Sequence, residues 1–142
     1  MKALLFASAL LLGQAAAAAD APNMQEGEWE ITTRTKMTGM PMQPPPQTMR
    51  ICINKQDIAD GKKTMPGGMD NGKSKCEFVN RSFSSNKASF KMVCTGENKA
   101  TMTGEMTYAG NSYSGKTHME MAGGAQGNMV VDSEYSAKRV GD

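Results

Sequence analysis

Apolar and polar residues alternate with a period of two through most of this chain, and almost nowhere with the period of a helix. The pattern is first complete at Trp29, Ile31, Thr33, Thr35 and Met37, which interleave with Glu28, Glu30, Thr32, Arg34 and Lys36. Successive side chains of a strand point to opposite faces, so this alternation predicts a sheet with one buried and one wet face. A one-residue slip of pairing would turn the whole apolar set out into water. The expected fold class is all-β: an antiparallel meander of about seven strands, either a curved open sheet or an up-and-down barrel, with one short helical turn.

Residues 1–19 stand outside that pattern. Lys2 is followed by an apolar run from Ala3 to Leu12 and by Ala15, Ala16, Ala17, Ala18 and Ala19. A short basic region, an apolar stretch and a small-residue site make a secretory signal peptide, with the cut expected after Ala19. The first cysteine is Cys52, too far along to take a lipid at the cut. Residues 20–142 then read as a single β-rich domain with a Pro/Met-rich linker at 39–47 and a Gly-rich loop at 61–75. No later apolar run approaches the roughly 20 residues that a membrane-spanning helix needs.

Every leucine lies in that leader, so the domain must build its core from other residues. Its branched aliphatics are only Ile31, Ile51, Ile53, Ile58, Val79, Val93, Val130, Val131 and Val140, and methionine outnumbers them. A core so short of branched residues is marginal, and cross-links should matter. The formal net charge of +2 falls to +1 without Lys2. The nearest basic cluster, Lys62, Lys63, Lys73 and Lys75, has no aromatic residue interleaved, so no nucleic-acid partner is expected.

Two hairpins can be registered from the sequence. Centring a turn on Ser85 sets Cys76 opposite Cys94, Phe78 opposite Met92 and Asn80 opposite Phe90. One register serves both the apolar pattern and the cysteines, which predicts a Cys76–Cys94 disulfide. Loop entropy for the roughly 17-residue loop it closes makes it worth about 3 kcal/mol. In the second hairpin a two-residue turn at Gly110-Asn111 faces Tyr108 with Tyr113, Met106 with Gly115, Gly104 with Thr117, Met102 with Met119 and Ala100 with Met121. Upstream, a short strand from Thr48 to Ile53 precedes a helical turn, Lys55 to Ile58, capped by Asn54. A last strand is expected from about Met129 to Arg139.

These residues carry a resemblance. The chain resembles the secreted Gram-negative proteins of the domain of unknown function family 3617 through Gly27-Glu28-Trp29-Glu30-Ile31-Thr32 and Met37-Thr38-Gly39-Met40-Pro41-Met42. Cys52, Cys76, Lys91-Met92-Val93-Cys94, Tyr113-Ser114-Gly115 and Lys138-Arg139-Val140-Gly141-Asp142 continue it. The resemblance implies a periplasmic β-rich domain and brings no activity. It also implies a final cysteine after the Gly-Asp ending as the natural partner of Cys52. With the chain closing at Asp142, three cysteines leave one thiol over. Cys52 is then expected to be a buried orphan or to lack its partner through truncation of the chain, or else to form an intermolecular disulfide or serve as a redox-sensitive thiol.

No catalytic residues are expected. His118 is the single histidine and alternates onto the wet face, flanked by Lys116 and Glu120. Glu26, Glu28 and Glu30 look like a carboxylate cluster, but alternation makes Glu28 and Glu30 a solvated strand edge. Serine stands in no nucleophile-elbow pattern, and no Gly-rich phosphate loop leads from a strand into a helix. Methionine is the one residue in excess that could carry chemistry. Met102, Met119 and Met121 share a face, and three thioethers suit Cu(I). The competing reading is that they fill the core of a leucine-free domain. No cofactor is otherwise expected. Met40, Met42, Pro44, Pro45 and Pro46 form a candidate interaction segment. The expected function is non-catalytic binding or interaction, the partner being an unknown envelope protein, with Cu(I) or a small apolar ligand as alternatives.

Overall fold

The computed structural model describes residues 21–60, 63, 74–97, 99–124 and 127–142. The expected signal peptide and most of the Gly-rich loop at 61–75 lie outside the described residues. Seven strands form one antiparallel sheet: β1 Gly27–Met37, β2 Gln47–Ile53, β3 Ser74–Phe83, β4 Lys87–Gly96, β5 Lys99–Tyr108, β6 Ser112–Gly124 and β7 Gly127–Gly141. The order across the sheet is β2-β1-β7-β6-β5-β4-β3, so the sheet is open, with β2 and β3 at its edges. From β3 to β7 each strand lies beside the next. The one long closure seats β1 on β7.

Alternation sorts the two faces as the pattern demands. In β5 every second residue, Ala100, Met102, Gly104, Met106 and Tyr108, is buried. Trp29 is 0% exposed and Tyr108 2%. Only one sheet and one six-residue helix are described, so burial this complete requires the sheet to curl over its own apolar face. The core divides along the strands. One end holds Trp29, Ile53, Tyr108, Tyr113 and Ala137; the other holds Phe90, Met92, Cys94, Ala100 and Met102. The aromatic end is closed by the segment before β1. There Asn23 N–H donates to the Ser85 carbonyl at 2.6 Å, and Gly110 N–H donates to the Asn23 carbonyl at 2.8 Å.

Helix α1, Lys55–Asp60, covers the same end with Ile58 buried in the core. Its first turn is locked reciprocally. Asp57 N–H donates to Asn54 Oδ1 at 2.8 Å, and Asn54 N–H donates to Asp57 Oδ2 at 3.1 Å. This is a capping box, and it satisfies helix-end donors that would otherwise have no partner.

The second hairpin has every expected pair, from Tyr108 with Tyr113 to Ala100 with Met121. Gly110 takes φ +78° at the first central position of its turn, a conformation glycine adopts readily, and Asn111 N–H donates to the Ala109 carbonyl across it at 3.0 Å. The first hairpin corrects one expected pair. Cys76 faces Cys94 and Phe78 faces Met92, but Arg81, not Asn80, faces Phe90. The turn has two central residues, Ser85 and Asn86, closed by Ser84 N–H to the Lys87 carbonyl at 2.8 Å. A β-bulge between Phe78 and Asn80 absorbs the extra residue and leaves Val79 58% exposed. The Arg81 guanidinium consequently lies 5.1 Å from the Phe78 ring centroid and 4.9 Å from that of Phe83.

Three boundaries also move. Gln47 belongs to β2 rather than to the linker, since it pairs with Thr33. Ser74 and Lys75 belong to β3 rather than to the Gly-rich loop. Strand β7 begins at Gly127 and runs to Gly141, longer at both ends than expected.

Candidate functional site

The wet face of the sheet carries an ordered array of charge. Across β1, β7, β6 and β5, Arg34 faces Glu134, Glu134 faces Lys116, and Lys116 faces Glu105. Two residues along each strand, Lys36 faces Asp132, Asp132 faces His118, and His118 faces Thr103. Sign therefore alternates along both rows. Residues directly opposite across a strand pair have Cβ atoms about 4.5–5.5 Å apart, close enough for opposite charges to meet. Even so, none of Arg34, Lys36, Glu105, Lys116 and Glu134 closes an ion pair among the described residues.

A hollow of about 700 Å³ lies between the rows, lined by these side chains with Ser89 and Thr103. The strip of sheet between them contributes Ser133, Thr117, Gly104 and Phe90. Gly104 is required there: a Cβ on it would stand 2.4 Å from Cζ of the Phe90 ring. The ring therefore lies across bare backbone, and any larger residue would displace it.

His118 sits at one side of the hollow with both ring nitrogens engaged. Nδ1 is 2.7 Å from Asp132 Oδ1 and Nε2 is 3.2 Å from Glu120 Oε1. Only the imidazolium can donate to both carboxylates at once, so the Asp132 bond first, and the Glu120 bond next, raise its pKa above the ordinary histidine value. The stability this pairing adds is present at low pH and lost as pH rises through the raised folded-state pKa. The group is exposed, so the effect on stability is small. In a proton-NMR titration, the His118 midpoint should fall towards the ordinary value when Asp132 is replaced by Asn. An unchanged midpoint would remove Asp132 as the cause. With neither nitrogen free, the imidazole is poorly placed to act as a general base.

The other expected positions are now located. The Cys76–Cys94 disulfide is formed. Cys52 is exposed, which corrects the expected buried orphan. Ile53, and in part Ile51, take the inward positions of edge strand β2, so Cys52 between them faces out. It borders a shallow hollow with Asn54, Lys63, Arg139 and Asp142. The expected solvated edge at Glu28 and Glu30 is also corrected, because β1 is not an edge. Glu30 ties both neighbouring strands, to Lys138 at 3.3 Å and to Arg50 at 3.1 Å, and these two cations lower its pKa.

Met102 and Met119 are direct cross-strand partners, with Met121 two residues on. The structure adds Met129, opposite Met121. Met40 and Met42 are exposed, as are Pro45 and Pro46, while Pro44 is half-buried. The Gln43 side chain pins this connection by accepting from Met37 N–H at 2.7 Å and donating to the Met37 carbonyl at 3.1 Å. At the aromatic end, burial raises the Tyr113 hydroxyl to about 12. The charged rows themselves escaped the sequence reading, although Arg34 with Lys36 and Asp132 with Glu134 are visible as like-charged pairs at a spacing of two.

No described helix is long and apolar enough to cross a membrane. A family model described as protein of unknown function (DUF3617) matches residues 24–142. No curated protein and no solved structure matches the chain.

Proposed function

Starting from a chain that belongs to the DUF3617 family, we propose a non-catalytic periplasmic binding protein whose wet-face hollow takes a small zwitterionic ligand. The observation that carries this reading is the set of charges of alternating sign around a space of about 700 Å³, of which Arg34, Lys36, Glu105, Lys116 and Glu134 close no ion pair among the described residues. That volume falls within the range of small-molecule sites. A ligand bearing both charges can meet a cationic strand, β1 with Arg34 and Lys36, and an anionic one, β7 with Asp132 and Glu134, together, whereas a simple anion or cation would meet repulsion from one of them. Periplasmic residence rests on the expected signal peptide.

The apolar cargo considered from the sequence has less support. Met92, Met102 and Met106 are 2–5% exposed, so the methionine-lined face is largely filled by its own side chains. The larger hollow opens on the charged side instead.

The test uses nitrogen-15-labelled protein and the zwitterionic dipeptide lysylglutamate. Amides of Thr103, Lys116, His118 and Glu134 should shift on titration. Lys116→Glu should abolish the response while leaving the rest of the spectrum in place. Unmoved amides in the wild type, or an equal response in the variant, would refute a zwitterion site in the hollow.

A further inference from the structure

Methionine is polarised along the strands. At the end of the sheet opposite Trp29, Tyr108 and Tyr113, Met92 faces Met102, Met102 faces Met119, and Met119 faces Val131. In the adjacent row Met121 faces both Ala100 and Met129. Strands β5, β6 and β7 thus bring Met102, Met119, Met121 and Met129 into one contiguous block on one face. Met102 is buried, but the other three are only half-buried.

We propose that this block is a Cu(I) site with thioether ligands. Neutral, polarisable sulfur holds Cu(I) and discriminates against hard cations. Opposed Cβ atoms about 4.5–5.5 Å apart, on side chains with three rotatable bonds each, allow the sulfurs to converge on one ion. Burial separates Met119, Met121 and Met129 from methionine used only as filler, and buried Met102 joins them as the cross-strand partner of Met119. Met106 and Met92 are 2% and 4% exposed, whereas Met119, Met121 and Met129 keep access to solvent. Among the described residues no group of three or more His, Cys, Asp or Glu side chains could hold a metal in competition. His118 projects from the opposite face, and both of its nitrogens are engaged. Copper enters and leaves as Cu(I), exchanging thioethers for the ligands of its donor, so no electron is transferred. The site is independent of the charged hollow.

The experiment is an anaerobic titration of the disulfide-intact protein, methyl-labelled at methionine, with Ag(I) as the redox-inert stand-in. Its partner is competition of Cu(I) against bicinchoninate. A single equivalent of Ag(I) should shift the methyl signals of Met102, Met119, Met121 and Met129 and leave Met24 and Met106 in place, while Zn(II) shifts none of them. Replacing Met119, Met121 and Met129 together with Leu should weaken Cu(I) binding by at least the roughly 10–100-fold that lost outer-shell partners cost metal sites. Met106→Leu should not weaken it. Shifts confined to the exposed Met40, Met42 and Met49, no shifts at all, or a triple variant of unchanged affinity would each overturn the proposal. Should the triple variant fail to fold, the wild-type methyl map decides alone.

Discussion

Replacing Trp29 with alanine is expected to destabilise the domain by about 3–5 kcal/mol, a large part of the roughly 5–15 kcal/mol that holds a domain of this size together. The side chain is 0% exposed and anchors the aromatic end of the core. Its ring centroid lies 5.5 Å from that of Tyr113 in a tilted arrangement, and its indole N–H donates to the Gln25 carbonyl at 3.0 Å. That bond ties the segment before β1 to the core it closes. The backbone of Trp29 also pairs with Ile51 of β2 and Arg139 of β7. Alanine would remove the ring and the bond together in a core with no leucine to repack. Trp29→Phe keeps a ring and loses the bond, so about 1–2 kcal/mol is expected from it. Urea unfolding of both variants checks the ranking. Similar midpoints for alanine and wild type would show that the aromatic end does not carry the stability.

The second large effect is expected at the disulfide. Replacing Cys76 and Cys94 together with serine should cost about 3 kcal/mol and lower the melting temperature by roughly 10–15 °C. The two residues are 18 apart in sequence, and the cross-link restrains the hairpin in the unfolded chain. Its placement adds a local effect. Among the described residues β3 is an edge strand with β4 as its one ladder neighbour, so the cross-link fastens an edge to the sheet. Amide exchange in β3 should therefore accelerate more than in β5 or β6 once the sulfurs are gone. The register should persist, because Phe78 still faces Met92 and the Arg81 guanidinium still lies against two rings. Calorimetry with hydrogen exchange measures both effects. An unchanged melting temperature and uniform exchange would show that the cross-link is passive.

The sequence was most legible where structure is local. The β5–β6 hairpin could be registered pair by pair because Gly110-Asn111 fixes its turn and both strands alternate without interruption. The β3–β4 hairpin was legible only as far as Phe78. Its bulge leaves no period-two signature, and Val79 looks like any other strand residue. Partner choice between distant strands was not legible at all, since alternation states which face a residue takes and not which strand lies beside it. That is why Glu30 was expected on a solvated edge although it ties two strands, and why the charged hollow went unseen. Arg34 and Lys36 meet Glu134 and Asp132 only because β1 closes on β7. Met129 was missed for a smaller reason: it stood at the expected start of a strand that begins two residues earlier.

That closure also bears on the order in which the domain can be assembled. A growing chain releases β1 and β2 first, yet the strand that takes β1 into the sheet comes last. The five strands from β3 to β7 zip to sequential neighbours, a contact pattern that favours fast formation, whereas seating β1 closes a loop spanning most of the domain. Trp29 must therefore stay exposed until almost the whole chain has been made. The N-terminal ribbon is first to emerge and last to be housed, and any interruption before β7 leaves the largest apolar ring of the domain without its shelter.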